Sequence, residues 1–524
     1  MAKRLTTFSK LLITILLVAL IFLGGRYLLQ NTAIGKSLAD GEGSTNTPTV
    51  NRNNDRDSNK GGGSDSDVIK VGVVTWGGYA GGQYFNEGFK ANTNSRFYKD
   101  YGFKVEFKVL DDFEASRQAF KNDEVNLLWQ TIDAFPTEVN GMTDFDPVVL
   151  FQADWSRGGD AIVARRGITK VSDLRGKKIA VAEYAPSQSF LLWLLDAGGL
   201  TEKDVDLVYQ ASAIDAAEVF KSQRVDAAVV WSPDDIACIE AVPGSRILES
   251  TKSASHIIAD IFLAKRAYVE NNRTKLRQLY EGWMKGAAEI NSNDANKRKA
   301  AKILGENFEI FSEQDAYDAI NNVRLVTHGD NLNFFGLNKD YKGVTGSSLY
   351  SRMVEVYSGL GYIEGRAPNW RQISYSGLIQ DTNLTGAQHA AEEDKSFAPV
   401  TKADETKEAL SSKSVTITFA TGSATLGENA KYIIDRDFVS IAKAFGNARV
   451  RIEGNTDSTG SRDFNVNLSR KRAQAVANYL SSEHNMSSNR LIVVGNGPDK
   501  PVAGNDTESG RAQNRRTDFQ LVAD

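Results

Sequence analysis

Short apolar runs alternate with amphipathic stretches between Val68 and Gly377. Val68–Thr75 (VIKVGVVT) reads as a buried strand running into a Gly-rich turn, and Lys104–Leu110 (KVEFKVL) alternates with a period of two. Phe113–Lys121 has helical spacing, and Val125–Gln130, Lys177–Ala182, Val205–Tyr209 and Ala227–Trp231 read as further strands. Helices are predicted over Ser187–Ala197, closed by Gly198–Gly199, and over Ala213–Ser222, with mostly helical spacing from Arg273 to Gly359. Strands alternating with helices predict parallel βαβ units. A polar stretch with charges of both signs, residues 378–412, reads as a tether. Beyond it lies a second patterned block. Val415–Phe419, Arg449–Glu453, Leu491–Val494 and Asp518–Val522 read as strands, and Glu428–Phe445, Asn465–Leu480 and Thr507–Asn514 as helices.

The first residues have a different pattern. Leu11–Gly25 carries no charge and follows Lys3, Arg4 and Lys10. With Arg26 snorkelling, the apolar span reaches about 19 residues, enough for one N-terminal transmembrane helix with its N-terminus in the cytoplasm. A cleaved signal segment is the rival reading, although no A-x-A site follows the apolar run. Residues 30–67 are Gly, Ser, Asn, Asp and Thr with almost no large apolar side chain, a flexible linker. Its coil span would be about 30–37 Å. The expected segments are thus 1–29 cytoplasmic tail and anchor, 30–67 linker, 68–377 central domain, 378–412 linker and 413–524 C-terminal domain.

Composition excludes several functions. Lys and Arg total 62 against 66 Asp and Glu, a net charge of −4, which argues against a nucleic-acid partner. The single cysteine, Cys238, allows neither an intramolecular disulfide nor a multi-Cys metal site. The four histidines are scattered, and no G-x-S-x-G elbow is present. No enzyme, cofactor or metal is therefore expected.

The C-terminal block carries the more specific motif. Asp457 follows a strand in a turn rich in Thr, Ser and Gly (Ile452–Gly460, IEGNTDSTG), and Arg472 lies in the next helix. A loop carboxylate facing a guanidinium can hold an ammonium at one end and a carboxylate at the other, which suits a zwitterionic amino-acid head group. The alternative is a structural ion pair. Gly454, Thr456, Asp457 and Gly460, then Asn465, Leu468, Ser469, Arg472 and Ala473, then Gly510, Arg511, Asn514, Arg515 and Arg516 follow one another in order. This string resembles the OmpA-like peptidoglycan-binding domain over about 110 residues, an α+β fold. The resemblance implies that Asp457 and Arg472 grip the diaminopimelate of the peptidoglycan stem peptide, with Thr456, Asn465 and Arg515 nearby. Asn455 stands where that family usually has His, which would remove an aromatic-type wall.

In the central block, Thr75, Trp76 and Tyr79 follow the first strand, and Thr131 and Asp133 follow Val125–Gln130. Ser187, Gln188 and Ser189 open a helix, and Trp231 ends a strand before Asp234. Ligands of open α/β sheets sit beyond strand C-termini, where glycines let backbone approach and aromatic rings offer stacking faces. Trp76 also fits a core tryptophan, and Asp133 and Ser187 fit helix caps. The helix start at Ser187 favours an anion, whereas Asp133 and Asp234 favour a cation, so the pattern leaves the ligand's charge open. The order of segments, with Asp160–Val163 (DAIV) before Ile168–Lys178, resembles periplasmic substrate-binding proteins of the nitrate, sulfonate, taurine and thiamine-precursor group. That resemblance implies a two-lobed (type II) α/β domain that closes on solute. Thr75, Trp76, Tyr79, Thr131, Asp133, Asp160, Ser187, Gln188, Ser189 and Trp231 would line its cleft, with Trp155 and Trp193 in the core.

The expectation is a non-enzymatic protein of the cell inner membrane, single-pass, with its bulk in the periplasm. It would bind peptidoglycan and a small-molecule solute as a receptor or sensor, with a membrane permease or signalling protein as a further partner. The alternatives are the binding component of an ABC-type importer and a purely structural wall anchor. The apolar span has no carboxylate, so proton relay of the stator kind is not expected.

Overall fold

The computed structural model describes residues 67–308, 312–417, 419–420 and 422–524. The expected membrane span and the first linker up to residue 66 lie outside the described residues. Among the described residues no helix is long and apolar enough to cross a membrane.

Two sheets build the central region. The first contains β1 (Val68–Val73), β2 (Lys104–Val109), β3 (Leu127–Thr131), β4 (Pro147–Ser156), β10 (Ala259–Lys265) and β11 (Val323–Leu325), in the order β11-β4-β10-β3-β1-β2. The second contains β5 (Asp160–Ala164), β6 (Lys178–Ala182), β7 (Asp206–Gln210), β8 (Ala227–Trp231) and β9 (Arg246–Ser250), in the order β7-β6-β8-β5-β9. Each sheet is the floor of one lobe. The chain crosses between them twice in succession, at residues 157–159 and 251–258. Helix α1 (Phe113–Lys121) packs on the first sheet, and α2 (Pro186–Ala197) on the second. After β10 the chain stays with the first lobe, through α3 (Arg266–Ser292) and on to α4 (Gly346–Leu360).

Parallel βαβ units are present in both sheets, and antiparallel strands join them. β1, β2 and β3 are parallel, as are β6, β7 and β8, but β10 runs antiparallel to β3 and β4, and β5 antiparallel to β8 and β9. The antiparallel strands are those that leave and re-enter each lobe. Their reversal is what lets two short crossovers join the sheets.

The C-terminal region is a four-stranded sheet, β12 (Ala409–Val415), β13 (Arg449–Asn455), β14 (Leu491–Gly497) and β15 (Thr517–Val522), in the order β12-β15-β13-β14. Helix α5 (Arg462–His484) lies across β13 and β14, and α6 (Glu508–Asn514) precedes β15. β12 starts six residues before the strand expected at Val415, because the polar run ALSSKSV pairs with β15 at the sheet edge. Residues 378–412, expected as a tether, also contain packed groups. Leu378, Ile379 and Phe397 are buried, and Glu392 pairs with Arg157 at 2.7 Å.

The C-terminal region rests on both lobes. Lys413 of β12 pairs with Asp196 near the end of α2, and Asp196 also accepts from Arg352 of α4 at 2.8 Å. The His256 amide donates to the Ala444 carbonyl at 3.0 Å, and Asn447 donates to the Lys252 carbonyl at 2.8 Å.

Candidate functional site

In the C-terminal region β13 delivers Thr456 and Asp457 to the mouth of the sheet. The Thr456 amide donates to the Gly497 carbonyl at 2.9 Å, which fixes the exit direction of the chain. Asn465, buried in the first turn of α5, donates to the Thr459 carbonyl at 2.9 Å and holds the loop against the helix. Gly454 permits this closeness, since a Cβ there would lie 2.3 Å from the Ser469 carbonyl oxygen. Asp457 accepts from the Thr459 amide at 2.9 Å and from Arg515 at 2.7 Å. Arg515 is shared with Glu508 at 2.6 Å. Arg472 donates to the Ser423 carbonyl at 3.0 Å and lies over the Phe419 ring at 4.9 Å.

Among the described residues no hydrogen bond joins Asp457 to Arg472. Arg472 is half-buried, and desolvation holds its pKa below the ordinary value against the opposing field of Asp457. Burial would raise the pKa of Asp457, but hydrogen bonds from Arg515 and Thr459 leave it below the usual carboxylate range. The loop carboxylate is therefore ionised, with one guanidinium bound to it and a second in its field. Asn455 is no part of a wall. It is buried, donates to Asp518 at 3.0 Å and accepts from Asn496 at 3.0 Å, inside a network that includes Glu453 and Lys500.

In the central region the strand register assembles a second site. Asp154 on β4, Asp260 on β10 and Thr131 on β3 are successive partners across three strands, so they form one row at the edge facing the other lobe. Tyr79 donates its hydroxyl to Asp260 at 2.7 Å, and the Trp76 indole N–H donates to Asp154 at 3.3 Å. From the second lobe, Asp160 and Trp231 face each other across β5 and β8. The Trp76 and Trp231 rings meet between the lobes, with centroids 6.2 Å apart. Two glycines allow this. A Cβ on Gly159 would lie 2.1 Å from the Trp76 ring, and one on Gly78 would lie 1.6 Å from an Asp154 oxygen. The crossovers are tied at the same place, because Ser156 donates to Asp160 at 2.7 Å and the Gly158 amide donates to Thr251 at 2.8 Å.

A cavity of about 20 Å³ is lined by Val74, Trp76, Tyr79, Trp129, Thr131 and Ile258 with Asp160, Asp260, Pro186 and Trp231. That is room for about one water molecule. Five of the ten solute-site residues expected from the sequence line it: Trp76, Tyr79, Thr131, Asp160 and Trp231. The other five do not. Thr75 is turned to Asp111, to which its amide and hydroxyl donate at 2.7 and 2.8 Å. Asp133 is fully buried and takes a long bond of 3.4 Å from the Ala259 amide. Gln188 accepts from the Tyr184 amide at 2.8 Å, Ser189 shares a bond of 3.0 Å with Tyr357, and Ser187 is fully buried. Asp234 opens the helix after β8 and does not line the cavity either. Trp155 and Trp193 are buried, as expected.

Sequence reasoning missed Asp154 and Asp260. A signal was available for the two acids: each is a lone charge inside an apolar strand run (VVLFQADW and IIADIFLA). A buried carboxylate in such a run needs a partner. Here burial dominates. It pushes Asp160 and Asp260 up to about 7 and holds Asp154 and Asp133 well above the carboxylate range; the field of Asp260 adds to the rise at Asp154 and Asp133, and that of Asp160 to the rise at Asp260. A larger cavity, about 870 Å³, lies elsewhere, where the C-terminal region meets the first lobe around Trp155, Arg157, His256 and Arg490.

Comparison with known proteins finds likenesses in two separate parts of the chain. Residues 418–515 match the OmpA family, and residues 91–296 match the NMT1/THI5 like family. Outer membrane protein Omp38 of Acinetobacter baumannii is 47% identical over 72 residues, 14% of this chain and 20% of that protein. Peptidoglycan-binding protein ArfA of Mycobacterium tuberculosis is 44% identical over 77 residues, 15% of this chain and 23% of that protein. The chain thus spans about a fifth of the length of these two curated relatives. Among solved structures, the periplasmic aliphatic sulphonate binding protein SsuA from Escherichia coli aligns with 60% of this chain and 99% of its own, at 16% identity and a TM-score of 0.47.

Proposed function

We propose that this chain is a non-enzymatic envelope protein that holds peptidoglycan with its C-terminal region and a small solute between its two central lobes, as a receptor or sensor. In this reading residues 1–29 anchor it in the inner membrane and the bulk lies in the periplasm. The observation that carries the wall-binding half is the ionised Asp457 at a loop mouth, bonded to the Arg515 guanidinium and within the field of Arg472, in the residues that match the OmpA family. A diaminopimelate end has an ammonium and a carboxylate on one carbon. Its ammonium would compete with Arg515 for Asp457, and its carboxylate would take Arg472 or the released Arg515 bidentately. Thr456 and Asn465 shape the loop rather than touch the guest. The solute-binding half is supported by unfilled hydrogen-bonding capacity between the lobes. The Thr131 hydroxyl and the Trp129 indole N–H are buried without partners.

The test is co-sedimentation of the full chain with diaminopimelate-type sacculi. Asp457→Ala and Arg472→Ala should each weaken retention at least tenfold while the C-terminal region stays folded. Retention unchanged in both variants would refute the assigned site.

A further inference from the structure

We propose that the cleft between the lobes takes a small organic ammonium ion, received by Asp160, Asp260 and the faces of Trp76 and Trp231. The inference rests on the solute-binding reading above and adds the chemistry of the guest.

No lysine or arginine lines the cavity, whereas two carboxylates do and a third, Asp154, bonds to the lining tryptophan. Arg117, whose guanidinium lies over the lining Trp129 at 4.8 Å, is already neutralised. It donates to both oxygens of Glu138, at 2.7 and 3.0 Å. Carboxylates removed from water without a cation are costly, and they are neutralised either by protons or by a positive guest. The groups around Asp160 and Asp260 repeat that imbalance. They are Ser156, Trp231, Asp235 and Asp154 around Asp160, and Tyr79, Asp133 and Asp154 around Asp260. Two cations of the described residues act on this cluster: the paired Arg117, on Tyr79, and Lys252, on Asp235.

A second observation points to a guest. Thr131 is 1% exposed, lines the cavity, and its hydroxyl has no partner. A hydroxyl can accept from an ammonium N–H. The aromatic walls add to this, because a cation over an indole face gains about 0.5–2 kcal/mol. The void of about 20 Å³ is the size of an ammonium head, so a guest with a carbon tail enters when Trp76 and Trp231 separate. An anion is disfavoured for the same reasons that favour the cation.

The test uses the full chain, with binding followed by tryptophan emission and by thermal shift at constant ionic strength. The probes are ethanolamine and choline against nitrate and methanesulfonate. Ethanolamine or choline should bind at pH 8 and at least tenfold more weakly at pH 5, where the carboxyls are protonated. Asp160→Asn and Asp260→Asn should each weaken that binding at least tenfold. Both replacements keep the side-chain volume, and the pH comparison on the unaltered protein stands if either variant fails to fold. Binding of nitrate or methanesulfonate without either cation would overturn the ammonium assignment and leave the solute-binding reading intact. Cation binding equal at both pH values, or unchanged in both variants, would also overturn the assignment. Silence of all four probes would overturn both readings.

Discussion

Asp160→Asn provides a direct measure of the charge trapped between the lobes. Burial lifts the Asp160 carboxyl from an ordinary 3.8 to about 7, and the hydrogen bond from Ser156 offsets only part of that. The folded protein then keeps a proton that the unfolded chain has already lost. Stability is therefore full below about pH 4, falls as the pH rises through about 7, and is flat above that. A rise of about three pH units corresponds to about 4 kcal/mol at pH 8 for this carboxyl alone. Asparagine has the same shape and does not ionise. The variant should match the unaltered protein near pH 4 and be more stable by up to about 4 kcal/mol at pH 8. All seven tryptophans lie between Trp76 and Trp370, so urea unfolding followed by tryptophan emission reads the two-lobed region without interference from the C-terminal sheet. If the difference between the two proteins at pH 8 is no larger than at pH 4, Asp160 is ionised and solvated, and the picture of a dry, acid-lined cleft is wrong.

Two other perturbations probe the packing around these sites. Gly159→Ala places a methyl group 2.1 Å from the Trp76 ring, so the ring must leave its seat against Trp231; we expect a cost of about 1–3 kcal/mol in urea unfolding and a red-shifted emission. Asp196→Ala removes the carboxylate shared by Lys413 and Arg352, which should weaken docking of the C-terminal sheet by about 1 kcal/mol and speed hydrogen exchange in β12; unchanged exchange would mean the pair is ornamental to that contact.

Much of the local structure was legible along the chain. The helix over Phe113–Lys121 and the strand over Ala227–Trp231 fall where periodicity puts them, because each has one apolar face or a continuous apolar run of the right length. The long strands β4 and β10 were not read as strands, because polar residues, Gln152 and Asp154 in one and Asp260 in the other, break the apolar run of each. The tether reading of 378–412 followed from its polarity, yet edge strand β12 is also polar, since only one of its faces meets a core. At the candidate sites, the motif order singles out Asp457 on a loop and Arg472 on the next helix, whereas the bond from Arg515 to Asp457 crosses 58 residues and was not legible. The cleft was half readable, because Asp154, Asp260 and Thr131 are far apart in sequence and share a row only through strand register.

The sequence by itself determined the residue types at the Asp457 loop, the local patterning of most helices and strands, and the low count of cysteines and histidines. These depend on local spacing and on counts, which need no long-range contact. The tertiary structure decided the sign of the cleft. Whether a lone aspartate in an apolar run is paired, solvated or gathered with others depends on which strands become neighbours. Here two antiparallel strands bring two acids together on one lobe, and the facing lobe adds a third.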